Sequence, residues 1–214
     1  MRGRLRLPQL YPITDTQISG LSHADQVALF AERGATVVQL REKRATALEF
    51  YEQATAALAI AAERGVQLII NDRVDIALAV GAAGVHLGQD DLPLADARQV
   101  RAAAGRPDLV IGFSTHNLAQ ALAAAQAGAD YIGFGPVFGT RSKTNPDPTV
   151  GLDALADVCR AVTVPVVAIG GITLDAVPAV ARAGAAAAAI IAAIDAAPDP
   201  AAAGRAVTAA FGRR

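Results

Sequence analysis

The strongest constraint on this chain is an alternation repeated eight times, a short apolar run followed by a longer stretch with helical spacing. The apolar runs lie at 10–14, 36–41, 67–72, 84–88, 109–115, 131–135, 165–170 and 187–191. Between and after them, helical patterns occupy 22–33, 46–64, 73–82, 93–104, 117–127, 151–162, 173–183 and 200–211. Apolar strands interleaved with helices imply parallel pairing with the helices outside. Eight such units in 214 residues suit a closed (β/α)8 TIM barrel of the α/β class better than an open sheet. Gly34, Gly65, Gly128 and Gly184 each stand between a helix and a strand, where a left-handed residue ends a helix. An open doubly wound sheet would carry a Gly-x-Gly-x-x-Gly turn after its first strand, and this chain has Asp15-Thr16-Gln17 there. No linker or shift of composition divides residues 1–214, which read as one domain with a basic arm at 1–8 bearing Arg2, Arg4 and Arg6.

The remaining totals exclude more than they assign. A net charge of -1 offers no electrostatic footprint for nucleic acid. The most apolar run, 185–194, is too short to span a bilayer, and residues 1–10 contain no continuous apolar stretch of a signal peptide. A single cysteine, Cys159, excludes an intrachain disulfide and points to a reducing cytoplasm. It falls in the helical apolar pattern of Leu152, Leu155, Val158 and Val162, so it reads as core. Small molecules are the expected partners, and whether copies of the chain form a homo-oligomer is left open.

In such a barrel chemistry collects where strands run out at their C-terminal ends. Strand two ends in Gln39-Leu40-Arg41-Glu42-Lys43, whose alternation puts Gln39, Arg41 and Lys43 on one face. Cations inside a barrel mouth need partners, which an anionic ligand would supply; a surface pair of Arg41 with Glu42 is the competing reading. Strand three ends in Asn71-Asp72, and Gln89-Asp90-Asp91 follows strand four, so two carboxylates can meet across the mouth. Asp72 with Asp91 suits a hard cation such as Mg2+, while helix capping by Asp72, Asp90 or Asp91 is the alternative. Ser114 and His116 close strand five. Ser114 can donate to a phosphate or serve locally as a turn residue; His116 is a candidate base or a bystander. The long segment 136–148 offers Thr140, Ser142 and Lys143 as a phosphate grip. Gly170-Gly171 and the end of strand eight occupy the usual phosphate position of the fold.

Six separated segments together resemble the thiamin-phosphate synthase family. They are Gln39-Leu-Arg-Glu-Lys43, Ile70-Asn-Asp-Arg73, Gly84-Val-His-Leu-Gly-Gln-Asp-Asp91, Gly112-Phe-Ser-Thr-His116, Gly133-Phe-Gly-Pro-Val-Phe-Gly-Thr-Arg-Ser-Lys143 and Ala168-Ile-Gly-Gly-Ile-Thr173. Each is modest alone; six in order, from the end of strand two to the end of strand seven, are specific. The resemblance implies a barrel that condenses hydroxymethylpyrimidine diphosphate with a thiazole phosphate, giving thiamin phosphate and diphosphate. It further implies that Gln39, Arg41, Lys43, Asn71, Ser114 and Lys143 hold the pyrimidine diphosphate, that Asp72 and Asp91 bind Mg2+, and that Thr140, Arg141, Ser142, Gly171 and the Ile191–Ala192 amides hold the thiazole phosphate. Arg41, Lys43, Ser114 and Lys143 would act on the leaving group.

The implied reaction is dissociative and needs electrostatics and positioning more than a strong base. Two departures stand out. Thr140-Arg141-Ser142-Lys143 replaces the family's Thr-x-Thr-Lys, and Ile191-Ala192 replaces its Ile/Val-Ser. Two rivals remain, a thiazole tautomerase using His116 and a catalytically silent phosphate-binding regulatory barrel. The tautomerase branch tends to lose the metal carboxylates and the cations that this chain keeps.

Overall fold

The computed structural model describes residues 7–140, 147–190 and 200–212. Its eight strands, β1 (Leu10–Thr14), β2 (Val37–Leu40), β3 (Gln67–Asn71), β4 (Gly84–Leu87), β5 (Val110–Thr115), β6 (Tyr131–Phe134), β7 (Val166–Ala168) and β8 (Ala187–Ile190), pair in sequence order. Pairing of β1 with β8 closes the barrel, with Leu10 opposite Ala188 and Pro12 opposite Ile190. Every pairing is parallel.

Alternation along the strands sorts side chains into two layers. Leu10, Val38, Leu40, Leu68, Ile70, Val85, Leu87, Ile111 and Ile132 point outward and pack beneath the helices in one large apolar cluster. Tyr11, Ile13, Val37, Ile69, Val110, Tyr131, Val167, Ala187 and Ala189 fill the barrel axis as a second cluster. The interior is therefore plugged by side chains, as closed barrels of this size require.

The helices are α1 (Thr16–Ser19), α2 (His23–Glu32), α3 (Ala47–Arg64), α4 (Val74–Val80), α5 (Leu94–Ala103), α6 (Leu118–Gln126), α7 (Gly151–Ala161), α8 (Val177–Arg182) and α9 (Pro200–Phe211). Local chemistry sets their ends. Thr46 and Glu49 form a reciprocal capping box on α3. The four glycines expected to end helices all have positive φ, from 69° at Gly65 to 104° at Gly184. Cys159, which its helical pattern placed in the core, is partly buried and packs against the large apolar cluster from its edge. No helix among the described residues is long and apolar enough to cross a membrane.

Three local features depart from the sequence reading. The four-residue α1 was not expected; Asp15 caps it, its Oδ1 accepting from the amides of Gln17 at 3.0 Å and Ile18 at 3.2 Å. The segment 173–183 is not one helix but a 3-10 turn, Leu174–Ala176, followed by α8, where Pro178 sits in the first turn and needs no amide donor. Strand three stops at Asn71 rather than Asp72, because Asp72 turns left-handed with φ 65°.

Candidate active site

A cavity of about 810 Å³ opens where the strands end, lined by residues that include Gln39, Arg41, Lys43, Asn71, Asp72, Asp91, Ser114, Thr140 and Gly171. The structure thus brings the described part of the expected site together. Arg141, Ser142, Lys143, Ile191 and Ala192 lie outside the described residues.

On the β2 side, the guanidinium of Arg41 does not pair with Glu42. Its Nη1 donates to Asp15 Oδ2 at 2.6 Å, from the turn after β1. Asp15 is nearly buried and divides its carboxylate between the α1 cap and Arg41, so one residue orders the loop and aims the cation. Glu42 folds back on its own loop instead: Oε1 accepts amides from Lys43 at 2.8 Å and Arg44 at 2.7 Å, and Oε2 accepts the Thr16 hydroxyl at 3.2 Å. Burial pushes the Glu42 carboxyl up, but these bonds outweigh it and hold the group below its ordinary value.

Lys43 extends to Asp72, forming an ion pair with Oδ2. The positive φ of Asp72 is uncommon for a residue with a side chain. It is held by a tight turn in which the Arg73 amide reaches the Asn71 carbonyl at 2.8 Å, while the Asp72 amide donates to the His86 carbonyl at 2.8 Å. Strained backbone of this kind persists where the surroundings over-determine it, commonly at sites of function. Burial and the facing Asp91 carboxyl raise Asp72 from 3.8 to about 6, against the opposing pull of Lys43. Asp91 is oriented by the Gly88 amide, 2.7 Å from its Oδ2. Neither acid caps a helix: Arg73 and Pro93 occupy the N-cap positions of α4 and α5 with no side-chain cap bond, which also removes the capping role expected of Asp90.

Paired hard oxygens carrying more negative charge than Lys43 offsets suit a divalent cation. Among the described residues no three His, Cys, Asp or Glu side chains form a closed cage. Two carboxyls alone would leave the remaining positions around such a cation to waters or substrate oxygens, a partial set that fits Mg2+.

The barrel axis contributes further polar groups. His86 lies 2.8 Å from Ser114 Oγ through Nε2 and 3.0 Å from Tyr131 Oη through Nδ1. His116 instead sits on the wall. Its Nδ1 donates to the Gly135 carbonyl at 2.6 Å, and its Nε2 is 3.6 Å from Asp147. On the far side, Gly171 has φ 61° and packs its backbone against Gly139, where a Cβ would lie 2.3 Å from the Gly139 carbonyl oxygen. Only glycine permits that approach between the β6 loop and the β7 end.

The sequence model of the Thiamine monophosphate synthase family matches residues 10–194. The chain belongs to that family. A thiamine-phosphate synthase of Anaeromyxobacter dehalogenans is 48% identical over 97% of this chain and 90% of its own length. One from Chloroflexus aurantiacus is 44% identical over 92% of this chain and 89% of its own. Among solved structures, a thiamine phosphate pyrophosphorylase from Pyrococcus furiosus superposes with a TM-score of 0.82 at 36% identity, covering 95% of each chain. Membership in the thiamine-phosphate synthase family makes this barrel an enzyme of thiamin phosphate formation, a transferase of thiamine biosynthesis. A 3-hexulose-6-phosphate synthase at 22% identity and TM-score 0.66 shares the fold alone.

Proposed function

We propose that this chain joins hydroxymethylpyrimidine diphosphate to a thiazole phosphate in the cavity at the strand ends, with Mg2+ held by Asp72 and Asp91. The observation that carries the reading is the Lys43–Asp72–Asp91 group, where one ammonium pairs with Asp72 and Asp72 faces Asp91, beside Arg41 at a single rim. That rim offers a diphosphate both fixed cations and an anchoring cation site.

The carbon–oxygen bond between the pyrimidine methylene and the diphosphate breaks first, its electron pair leaving with the diphosphate. The thiazole nitrogen then supplies the pair that forms the new carbon–nitrogen bond. Arg41 and Lys43, with Ser114 and Lys143, neutralise charge growing on the leaving oxygens, and Gln39 and Asn71 orient the pyrimidine. Bound Mg2+ would add charge neutralisation on the diphosphate oxygens. Gly171, with Thr140, Arg141, Ser142 and the Ile191–Ala192 amides, holds the thiazole phosphate so that its nitrogen faces the methylene.

No strong base is required, and the Ser114–His86 pair is not a hydrolytic dyad: the imidazole's other nitrogen meets the neutral phenol of Tyr131, where a triad would place a carboxylate. His116 is tied to a backbone carbonyl, which favours a wall role over the tautomerase chemistry. A cytoplasmic setting belongs to the same proposal and is supported by the lone cysteine. Incubating the protein with both substrates, with Mg2+ or with a chelator, tests the whole reading. Thiamin phosphate should form only with both substrates and metal. Product formed at full rate in chelator would remove Asp72 and Asp91 as a metal site.

A further inference from the structure

Five polar side chains form a continuous hydrogen-bonded chain from the floor of the cavity to its mouth. Gln39 Nε2 donates to Tyr11 Oη at 3.2 Å, Tyr11 Oη lies 2.6 Å from Tyr131 Oη, and Tyr131 Oη lies 3.0 Å from His86 Nδ1. His86 Nε2 then meets Ser114 Oγ at 2.8 Å. Gln39, Tyr11, Tyr131 and His86 are all buried, at 3%, 1%, 1% and 8% exposure. The fold reserves room for this chain. A Cβ at Gly112 would lie 2.1 Å from Tyr131 Cζ, and one at Gly133 would lie 3.2 Å from His86 Cε1.

Proton bookkeeping allows such a chain two orders. A phenol and a hydroxyl each donate once, and a neutral imidazole donates from one nitrogen and accepts at the other. With the Gln39 amide donating, Tyr11 donates to Tyr131, Tyr131 donates to His86 Nδ1, and the imidazole proton is forced onto Nε2. Nε2 then donates to Ser114, whose own proton is released toward the cavity. In the reverse order the Gln39 amide still donates to Tyr11 but the remaining bonds flip: Tyr131 donates to Tyr11, His86 carries its proton on Nδ1, and Ser114 points its proton at His86 and a lone pair at the cavity. Burial lifts Tyr11 to about 12 and Tyr131 well above its ordinary value, so both phenols keep their protons at neutral pH. An anionic substrate group at Ser114 requires a donor, which only the first order supplies.

The geometry points to Tyr131 as a positioning residue for the condensation: through His86 it fixes the imidazole proton on Nε2 and turns the Ser114 hydroxyl outward as a donor to the substrate's diphosphate. This rests on the reading that the cavity holds that diphosphate, and it adds a residue that need not touch substrate at all.

The test is nitrogen NMR of the unliganded protein labelled with 15N-histidine, the His86 signals being assigned by their loss in His86→Asn. In the wild type, Nε2 should be the protonated nitrogen and Nδ1 the bare one. Tyr131→Phe keeps the ring and its packing but removes the donor, so His86 should become a mixture of tautomers. Turnover should fall about tenfold, the worth of one neutral hydrogen bond, with the Michaelis constant for the pyrimidine diphosphate nearly unchanged. Tyr11→Phe, which cuts the chain one link earlier, should give a smaller shift in the same direction. A wild-type His86 protonated on Nδ1 would overturn the proposal. So would a Tyr131→Phe protein that loses turnover while its His86 signals stay in place, since that is what a purely structural tyrosine would give. The tautomer is read without substrate, so failure of the condensation assay in the wild type is a separate result, and it strikes the proposed function rather than the proton order.

Discussion

The guanidinium of Arg41 is held 2.6 Å from the carboxylate of Asp15, so the cation at the end of β2 is aimed by a residue just past the end of β1. The pairing resolves a difficulty in placing bare cations at a barrel mouth, because Arg41 stays compensated between substrates. The same carboxylate caps α1, which allows its two functions to be separated by substitution.

Asp15→Asn keeps an oxygen for the amides of Gln17 and Ile18 but removes the charge that orients Arg41. The expected result is a Michaelis constant for the pyrimidine diphosphate raised by about tenfold, with thermal stability nearly retained. Asp15→Ala should add a loss of about 1 kcal/mol in stability from the missing cap. Steady-state kinetics and melting curves of the two variants separate these effects. Equal kinetics in Asp15→Asn and wild type would show that Arg41 orients itself.

A second expectation concerns pH. Because the folded protein holds the Asp72 carboxyl at about 6, above its ordinary 3.8, folding favours its protonated form. The stability linked to that proton is fully present below pH 3.8 and is lost as pH rises through about 6. Asp72→Asn mimics the protonated group. In chelator it should melt like the wild type in acid and above it once the pH exceeds about 6, even though it forfeits the Lys43 pair, because burial and Asp91 together outweigh that pair. The same variant should lose Mg2+-dependent turnover at limiting metal. A variant that melts lower at alkaline pH would show that the Lys43 pair outweighs burial and Asp91, and one that turns over fully at limiting Mg2+ would remove Asp72 from the metal site.

His116 offers a contrast with His86. With Nδ1 donating to the Gly135 carbonyl, its role is to join the end of β5 to the start of the β6 loop. His116→Ala should therefore reduce condensation less than about tenfold, whereas loss of a general acid or base would cost on the order of 10^2–10^4. Turnover measured across a range of pH decides between a strut and a proton carrier.

The strands and their order were legible because buried parallel strands are nearly continuous apolar runs, and each of the eight runs became a strand. Part of the site was legible for the opposite reason: Gln39, Arg41, Lys43 and Asp72 interrupt apolar alternation where strands end. What the sequence hid were the partners. Asp15 meets Arg41 across 26 positions, and Tyr11 meets Tyr131 across 120, separations that no local periodicity reports. Tyr11, His86 and Tyr131 lie on three separate strands, and their polar ends meet only once the barrel closes. One signal was available: Gly112 and Gly133 lie on adjacent strands, and glycine inside a strand often marks the close approach of another group.

The last expectation tests the thiazole phosphate side through Gly171. Its φ of 61° already disfavours a side chain, and an added Cβ would meet the Gly139 carbonyl oxygen at 2.3 Å and Phe138 Cβ at 2.9 Å. The first obstacle is backbone, so the clash cannot be relieved by turning a flexible side chain. The start of the β6 loop is tied to the β7 end here, the Phe138 amide donating to the Gly170 carbonyl at 3.0 Å. Gly171→Ala should therefore push the two segments apart and lower stability by about 1–3 kcal/mol. If these segments hold the thiazole phosphate, its Michaelis constant should rise by about tenfold or more, since displacement of about 1 Å is enough to spoil positioning. The pyrimidine diphosphate, if Arg41 and Lys43 hold it across the mouth, should feel much less. Titrating each substrate against saturating amounts of the other gives the two constants separately. A variant in which both rise equally would place the phosphate elsewhere in the cavity and leave Gly171 a purely structural glycine.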